Sequence, residues 1–462
     1  MKRRQFFQRR NSSETTNKSP VFLGISVSSC ARKLEAAAVG ILSVAEGRPI
    51  VLYKSASFDL PEEVTRTFRE LKQLVQNELL KTDPIKGDES GDGAPREVFV
   101  QNSSEGANRS SLQKVAELRS MFAAVQEEAV SELFNGDDSL RERTVALSIS
   151  SPSLFLPSYD WDERKVVVSL DDPRHLVQRT GLNVVSSLSS SDPSAGRESL
   201  LLYPYWVLLG DPDRSKILVD LGETARIFYI PALTNARDFR SKALFSNAVP
   251  CGSLLNSLTE QATKGDSDID AGGKLSVQGR CVGELLEAWR EGTRTICEKN
   301  AVGRYATFGG TDNLNECYHI EQILRQKFKI SAADALCTAV HWIAEQIFSR
   351  FSRGGFDDGS TGDLLLMGGA KQNGLLLSKL SGVFSPRRLR PFDDLEVFSE
   401  DSLAAVATAM LGAFRCAGRP VLWREGDELK EGSVGRTTLG SESSVRLLRD
   451  FLFVNSRSGN TV

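Results

Sequence analysis

Residues 217–231 read ILVDLGETARIFYIP, and the fold turns on this stretch. An apolar run, Ile217, Leu218 and Val219, ends at Asp220. A tight turn with a single glycine, Gly222, follows, and Ile227 to Ile230 form a second apolar run. The pattern predicts a strand, a turn and a returning strand. Such hairpins cradle phosphate when the turn is rich in glycine and amide groups, because backbone N–H groups must approach the anion. Here Glu223 sits in the turn and Arg226 ends it. The readings are a phosphate cradle, an altered cradle or an ordinary hairpin.

Downstream, helices are expected at about 276–298, 315–328 and 332–352. LLLMGGAKQNGLLLSKL, residues 364–380, reads as strand, glycine turn and helix. LEVFS, residues 395–399, reads as a strand, and DSLAAVATAMLGAFRCAG, residues 401–418, as a helix of small residues. Upstream, VFLGISVSSCARKLEAAAVGILSVAEG, residues 21–47, repeats the strand–turn–strand pattern, and VLYKSASFDL adds a third strand. Residues 62–81 and 111–134 carry helical spacing. TVALSIS, KVVVSL and NVVSSL read as further strands around a short helix stopped by Gly181. Each half is α/β, opens with a hairpin and ends in helices, which predicts two related lobes around a cleft. The expected division is a basic tail at 1–20, lobes at 21–212 and 213–420, and a polar tail with a short amphipathic segment at 421–462.

The 462 residues suffice for two domains with sizeable cores. A net charge of −3 argues against a protein built to coat nucleic acid or anionic membrane. No apolar run reaches the roughly 18 residues of a membrane span. The basic first 20 residues lack the apolar core of a secretory signal and read as a disordered tail, with a transit peptide or a polyanion-binding arm as alternatives. The seven cysteines are widely spaced, without a C-x-x-C pair. That suggests reduced thiols in a cytoplasm and no zinc site. His175, His319 and His341 are far apart and read as ordinary helix residues.

The segment from Val167 to Pro231 resembles the anhydro-N-acetylmuramic acid kinase family. SLDDPRHLVQRTGLNVVSS is similar to that family's QIGDP, helix, R-T-G and strand. SSSDPSAGRESLLLYP is similar to its D-x-A-x-G-G-Q-G-A-P-L-x-P loop, and VDLGETARIFYIP to its N-I-G-G-I-A-N hairpin. GISVSSCARKLEAAAV, NAVPCGSLLNSL, DAGGKLSVQG and MGGAKQNGLLLSKL resemble other family segments in order, so the likeness covers roughly residues 21–420.

This resemblance implies the two-lobed actin-like ATPase and sugar-kinase fold (ASKHA), with ATP and sugar between the lobes. The implied reaction opens the 1,6-anhydro ring with water and phosphorylates the six-position oxygen from ATP, with magnesium. An aspartate serves as general base, as a weak nucleophile such as water requires.

Carried over residue by residue, Asp192 falls on the catalytic aspartate. Asp172 and Gly196 fall on sugar-site motifs. Ser28, Ser29, Arg32, Gly222, Gly252, Gly368 and Gly369 fall on the nucleotide and phosphate turns. Taken without the resemblance, Asp192 before Pro193 is an ordinary turn residue, and Asp171 and Asp172 before Pro173 read as a helix cap.

The departures fall on the chemistry. The family's S-G-T-S-x-D-G becomes Val27 to Lys33, with Arg32 where an aspartate helps hold magnesium. A cation cannot do that, since magnesium takes oxygen ligands. Arg32 or Lys33 touching phosphate directly is the rescue; a solvated basic turn is the plain alternative. The family's H-G-Q-T becomes Ser150 to Ser153, and its F-D-T-G-P-G-N becomes Val249 to Leu255, keeping only Gly252. The expectation is a non-catalytic family member that binds an amino sugar or nucleotide, with ATP and magnesium used only if it is active. The alternative is an active kinase with a rebuilt phosphate site and Asp192 as base. A third is an association module using the basic tail and VRLLRDFLFV; a homodimer or a protein partner would follow from it.

Overall fold

The computed structural model describes residues 19–28, 31–41, 50–80, 105–156, 166–188, 198–233, 244–299, 329–353, 361–395, 398–425 and 428–457. Its strands are β1 Val21–Val27, β2 Lys33–Ile41, β3 Ile50–Asp59, β4 Thr144–Ser150, β5 Ser153–Leu156, β6 Val166–Ser169, β7 Asn183–Ser186, β8 Ser215–Leu221, β9 Thr224–Ile230, β10 Leu244–Pro250, β11 Thr361–Met367, β12 Leu389–Pro391, β13 Val421–Glu425, β14 Glu428–Gly432 and β15 Arg436–Thr438. The helices are α1 Glu62–Leu80, α2 Glu105–Phe134, α3 Asp138–Glu142, α4 Pro173–Thr180, α5 Glu198–Leu209, α6 Gly252–Thr263, α7 Gly283–Lys299, α8 Ala332–Arg353, α9 Gly374–Val383, α10 Glu400–Cys416 and α11 Glu442–Arg457.

Two sheets repeat one plan. The first runs β3-β2-β1-β4-β7 and the second β10-β9-β8-β11-β12. In each, the first three strands are antiparallel neighbours, and the next two run parallel to the first. The quoted hairpin is β8–β9, paired Lys216↔Ile230 to Leu221↔Ala225. Its counterpart in the other lobe is β1–β2. This duplicated sheet is the two-lobed actin-like architecture.

Three apolar cores follow from it. One, with Leu23, Phe68, Phe122 and Leu147, lies under the outer helices of the first sheet. A second, with Ile217, Trp289, Trp342 and Phe384, does the same for the second sheet. The third joins the lobes: Phe22 and Ala37 from the first sheet share it with Leu218 and Phe228 from the second, through α5 and α10. Small residues let α10 come close. A side chain at Gly24 of β1 would lie 1.9 Å from the Ala405 carbonyl oxygen, and one at Gly412 would lie 1.6 Å from Ser148 Oγ. The sequence of small residues in 401–418 is therefore a packing requirement.

Four expectations need correcting. The strand beside β11 is Leu389–Pro391, and Leu395 of the expected strand LEVFS ends a 3-10 turn at Phe392–Leu395; Glu396 and Val397 lie outside the described residues. The helix expected from 276 begins at Gly283; Ser276–Gln278 is a separate turn, and Gly279 is extended. Glu198 and Ser199, which end the loop-like SSSDPSAGRES, begin α5, and residues 189–197 lie outside the described residues. Residues 421–457 are not a tail: β13 and β14 form a ribbon, and β15 pairs with β7 at the edge of the first sheet. α11 then docks there, with Phe451 edge-on to Phe22 at 5.0 Å between ring centroids. Within VRLLRDFLFV, Leu448 and Phe451 pack on the body of the protein, whereas Leu452 and Phe453 are exposed. The tail 1–18, the helix expected at 315–328 and His319 lie outside the described residues.

Candidate functional site

The β1–β2 turn spends its hydrogen bonds on itself. Ser28 Oγ accepts the backbone N–H groups of Arg32 at 3.1 Å and Lys33 at 3.0 Å. The Ser28 N–H donates to the Lys33 carbonyl, and Ala31 takes a left-handed φ of 52° to close the turn. Arg32 donates to Asp268 at 3.0 Å, and Lys33 to Asp401 at 3.2 Å. Partial burial opposes the Lys33 charge, but Asp401 outweighs it and lifts the ammonium above its usual value. Ser29 lies outside the described residues.

In the second lobe three turns converge. The Gly222 carbonyl accepts the Gly252 N–H at 2.9 Å, and the Glu223 carbonyl accepts the Cys251 and Ser253 N–H groups at 2.7 and 3.2 Å. Gly368, with φ 92°, has no room for a side chain: a Cβ would lie 2.4 Å from the Leu221 carbonyl carbon and 2.7 Å from the Gly222 nitrogen. Gly222, Gly252 and Gly368 therefore meet, whereas a Cβ on Gly369 would face open space.

The charges around this junction pair internally. Asp220 and Arg226 join at 3.1 Å across the hairpin, each only 14% exposed. The Gly368 N–H donates to Glu400 Oε1 at 2.6 Å, and the other oxygen of Glu400 pairs with Lys371. Asp393 lies 3.6 Å from Lys371 and accepts the Glu400 N–H at 2.9 Å. Burial opposes the Lys371 charge, and Glu400 more than restores it. Burial, together with nearby Asp220, pushes the Cys251 thiol up to about 12, so it is inert at neutral pH.

The DAGGKLSVQG segment folds onto the same region. Asp270 accepts the Leu275 and Ser276 N–H groups at 2.8 and 3.0 Å, and Asn373 reaches it at 3.4 Å while capping α9. A Cβ on Gly273 would lie 2.6 Å from Asn373 Oδ1, so the two loops touch.

At the other edge, Asp172 caps α4 by accepting the His175 N–H at 3.2 Å, with Pro173 opening the helix and Gly181, at φ 73°, ending it. Asp171 is the unexpected residue. It is 5% exposed and accepts the Ser151 N–H at 3.1 Å and the Ser187 N–H at 3.2 Å. Burial pushes its carboxyl up, against the pull of Ser151 and Ser187. Asp192 and Gly196 lie outside the described residues.

Sequence reasoning took Asp171 for part of the helix cap, which Asp172 alone provides, and missed Asp268, Lys371 and Glu400. Asp171 sits at the glycine of the QIGDP-like motif, a replacement visible in the sequence and a usable signal. Among the described residues no group of three or more His, Cys, Asp and Glu is arranged to hold a metal ion. Among the described residues of the β1–β2 turn, the charged side chains are the cations Arg32 and Lys33, which do not suit magnesium.

The anhydro-N-acetylmuramic acid kinase profile matches residues 96–440. The chain belongs to that family. It is 24% identical over 257 residues to the anhydro-N-acetylmuramic acid kinase of Gloeobacter violaceus, covering 55% of this chain and 63% of that protein. To the one from Acaryochloris marina it is 25% identical over 239 residues, covering 51% and 61%. To that of Psychrobacter arcticus it is 30% identical over 178 residues, covering 36% and 38%. The match thus spans about three fifths of the length of the first two relatives.

Among solved structures, an activator of 2-hydroxyisocaproyl-CoA dehydratase from Clostridium difficile has TM-score 0.35 at 11% identity, covering 85% of this chain and 95% of that one. A ROK family glucokinase from Streptomyces griseus has TM-score 0.32 at 14% identity, covering 85% and 98%. At these scores the fold rests on the repeated strand order and not on the likenesses. No helix among the described residues is long and apolar enough to cross a membrane.

Proposed function

We propose that this member of the anhydro-N-acetylmuramic acid kinase family acts by binding and not by efficient phosphoryl transfer. Its ligand in this reading is an amino sugar of the 1,6-anhydro-N-acetylmuramic acid class, held in a cytoplasmic protein. The observation that carries the reading is internal neutralisation at the phosphate turns. Arg32, Arg226 and Lys371 are already paired with Asp268, Asp220 and Glu400. The amides of Arg32, Lys33, Gly252 and Gly368 already have acceptors within the chain.

Phosphoryl transfer depends on donors and cations aimed at the charge that develops in the transition state. Each such contact is worth about 10²–10³ in rate. Several replaced together leave little of the acceleration. The second reading, an active kinase using ATP and Asp192 as general base, draws support from the convergence of Gly222, Gly252 and Gly368.

Calorimetric titration separates the two. Purified protein titrated with the anhydro sugar is expected to bind, and with Mg²⁺–ATP or Mg²⁺–ADP to give no heat at millimolar nucleotide. Incubation with sugar and Mg²⁺–ATP is expected to give no 6-phosphosugar by mass spectrometry. Metal-dependent nucleotide binding with product that disappears in Asp192→Asn would establish the active kinase instead.

A further inference from the structure

We infer that Asp171 is a positioning residue for the sugar-facing edge of the first lobe: its buried carboxylate fixes together the turn after β4 and the turn after β7. The inference rests on the reading that a sugar binds at this edge.

Three strand ends meet at Asp171. Ser151 follows β4, Leu170 and Asp171 follow β6, and Ser187 follows β7. In an open α/β sheet, ligands sit outside the carboxyl ends of the parallel strands, where β4 and β7 end here. One carboxylate serves two of these ends, Oδ1 taking the Ser151 N–H and Oδ2 the Ser187 N–H. Ser187 needs that anchor, because it holds a left-handed φ of 57° that serine rarely adopts.

The carboxylate is itself braced. The Asp171 N–H donates to Ser169 Oγ at 3.2 Å, and Arg119 of α2 donates to the Asp171 carbonyl at 2.9 Å. Gln126, fully buried on α2, donates to Ser151 Oγ at 2.9 Å. A buried carboxyl is costly unless its oxygens are hydrogen-bonded. The two amides it receives here bond loop backbone, which a purely apolar filling could not hold. A glycine at this position, as in the QIGDP motif, would leave both amides without this acceptor.

The test compares wild type, Asp171→Gly and Asp171→Asn by hydrogen exchange and by calorimetry with 1,6-anhydro-N-acetylmuramic acid. Loss of protection is expected to be local, about tenfold or more in peptides covering Ser151 and Ser187, with peptides from β8–β9 unchanged. Asp171→Asn keeps one acceptor oxygen and is expected to lose protection at one of the two amides only. Sugar affinity is expected to fall about tenfold in Asp171→Gly and less in Asp171→Asn.

Wild-type exchange at both amides in Asp171→Gly would overturn the inference, and so would uniform loss across the whole lobe, which marks a general stabilising role. Should Asp171→Gly not fold, the single-amide pattern in Asp171→Asn decides. Should wild type bind no sugar, the functional reading fails, while the exchange result still settles whether Asp171 positions these two segments.

Discussion

The β1–β2 and β8–β9 hairpins occupy equivalent places in the two lobes and handle charge in opposite ways. The β8–β9 hairpin turns its charge inward, since Asp220 and Arg226 face each other across the two strands and are mostly buried. The β1–β2 hairpin turns its charge outward, with Arg32 reaching Asp268 and Lys33 reaching Asp401 through half-exposed pairs. Both arrangements leave the backbone plan intact. A duplicated sheet can thus keep its apolar register while its turns are rewritten, because strand pairing and burial specify the sheet and the turn side chains specify the chemistry.

Four changes would break or sharpen that comparison. The largest effect is expected from Gly368→Ala, which forces a side chain onto a left-handed residue against Leu221 and Gly222. It should cost about 3 kcal/mol or more in denaturant unfolding, because strain and overpacking add.

Gly252→Ala is next. Its Cβ would lie 2.8 Å from the Gly222 carbonyl oxygen, a cost of about 1–2 kcal/mol if the β8–β9 turn is as rigid as its hydrogen bonds imply. A loss below that would show the turn yielding.

The third is a pH experiment. The Asp171 carboxyl is raised in the folded protein by burial. The stabilisation linked to its proton is therefore fully present below the unfolded carboxylate value, near pH 4, and is lost as pH rises through the raised folded value, while the hydrogen bonds from Ser151 and Ser187 remain. Stability of Asp171→Asn relative to wild type should improve as pH climbs across that window. A difference that is flat with pH would show the carboxyl to be unperturbed.

The smallest effect belongs to Arg32→Ala, which removes a surface pair. Unfolding free energy should change by less than about 1 kcal/mol and less still at high salt. A larger loss would make the outward hairpin a structural tie between the lobes.

The sheets were legible because their strands are buried on both faces and read as apolar runs: Val21 to Val27 and Thr144 to Ser150 are buried throughout. The β8–β9 hairpin was legible from Asp220, Gly222 and the returning run. β12 was not, since Leu389–Pro391 has three residues, and only its pairing with Leu364 to Leu366 makes it a strand. β15 was hidden for the same reason, as Arg436–Thr438 is polar and gains its identity from β7. The meeting of Gly222, Gly252 and Gly368 could be reached through the family resemblance. The pairing of Lys371 with Glu400 could not, because an acid in the first turn of a helix is ordinarily read as a dipole contact.

The placement of β15 bears on how the chain is made. The Asn183 N–H reaches Ser444 across 261 residues of sequence, and β15 pairs with β7 just beside it. The first lobe is thus closed by residues that leave the ribosome after the entire second lobe. Until then the β7 edge has no strand on its outer side, and Phe22 lacks the ring of Phe451. The second lobe carries its sheet within one continuous stretch, from β8 to β12. Synthesis order therefore favours completing the later lobe first, with the earlier one waiting as an open-edged sheet that is vulnerable to chaperone capture or mispairing.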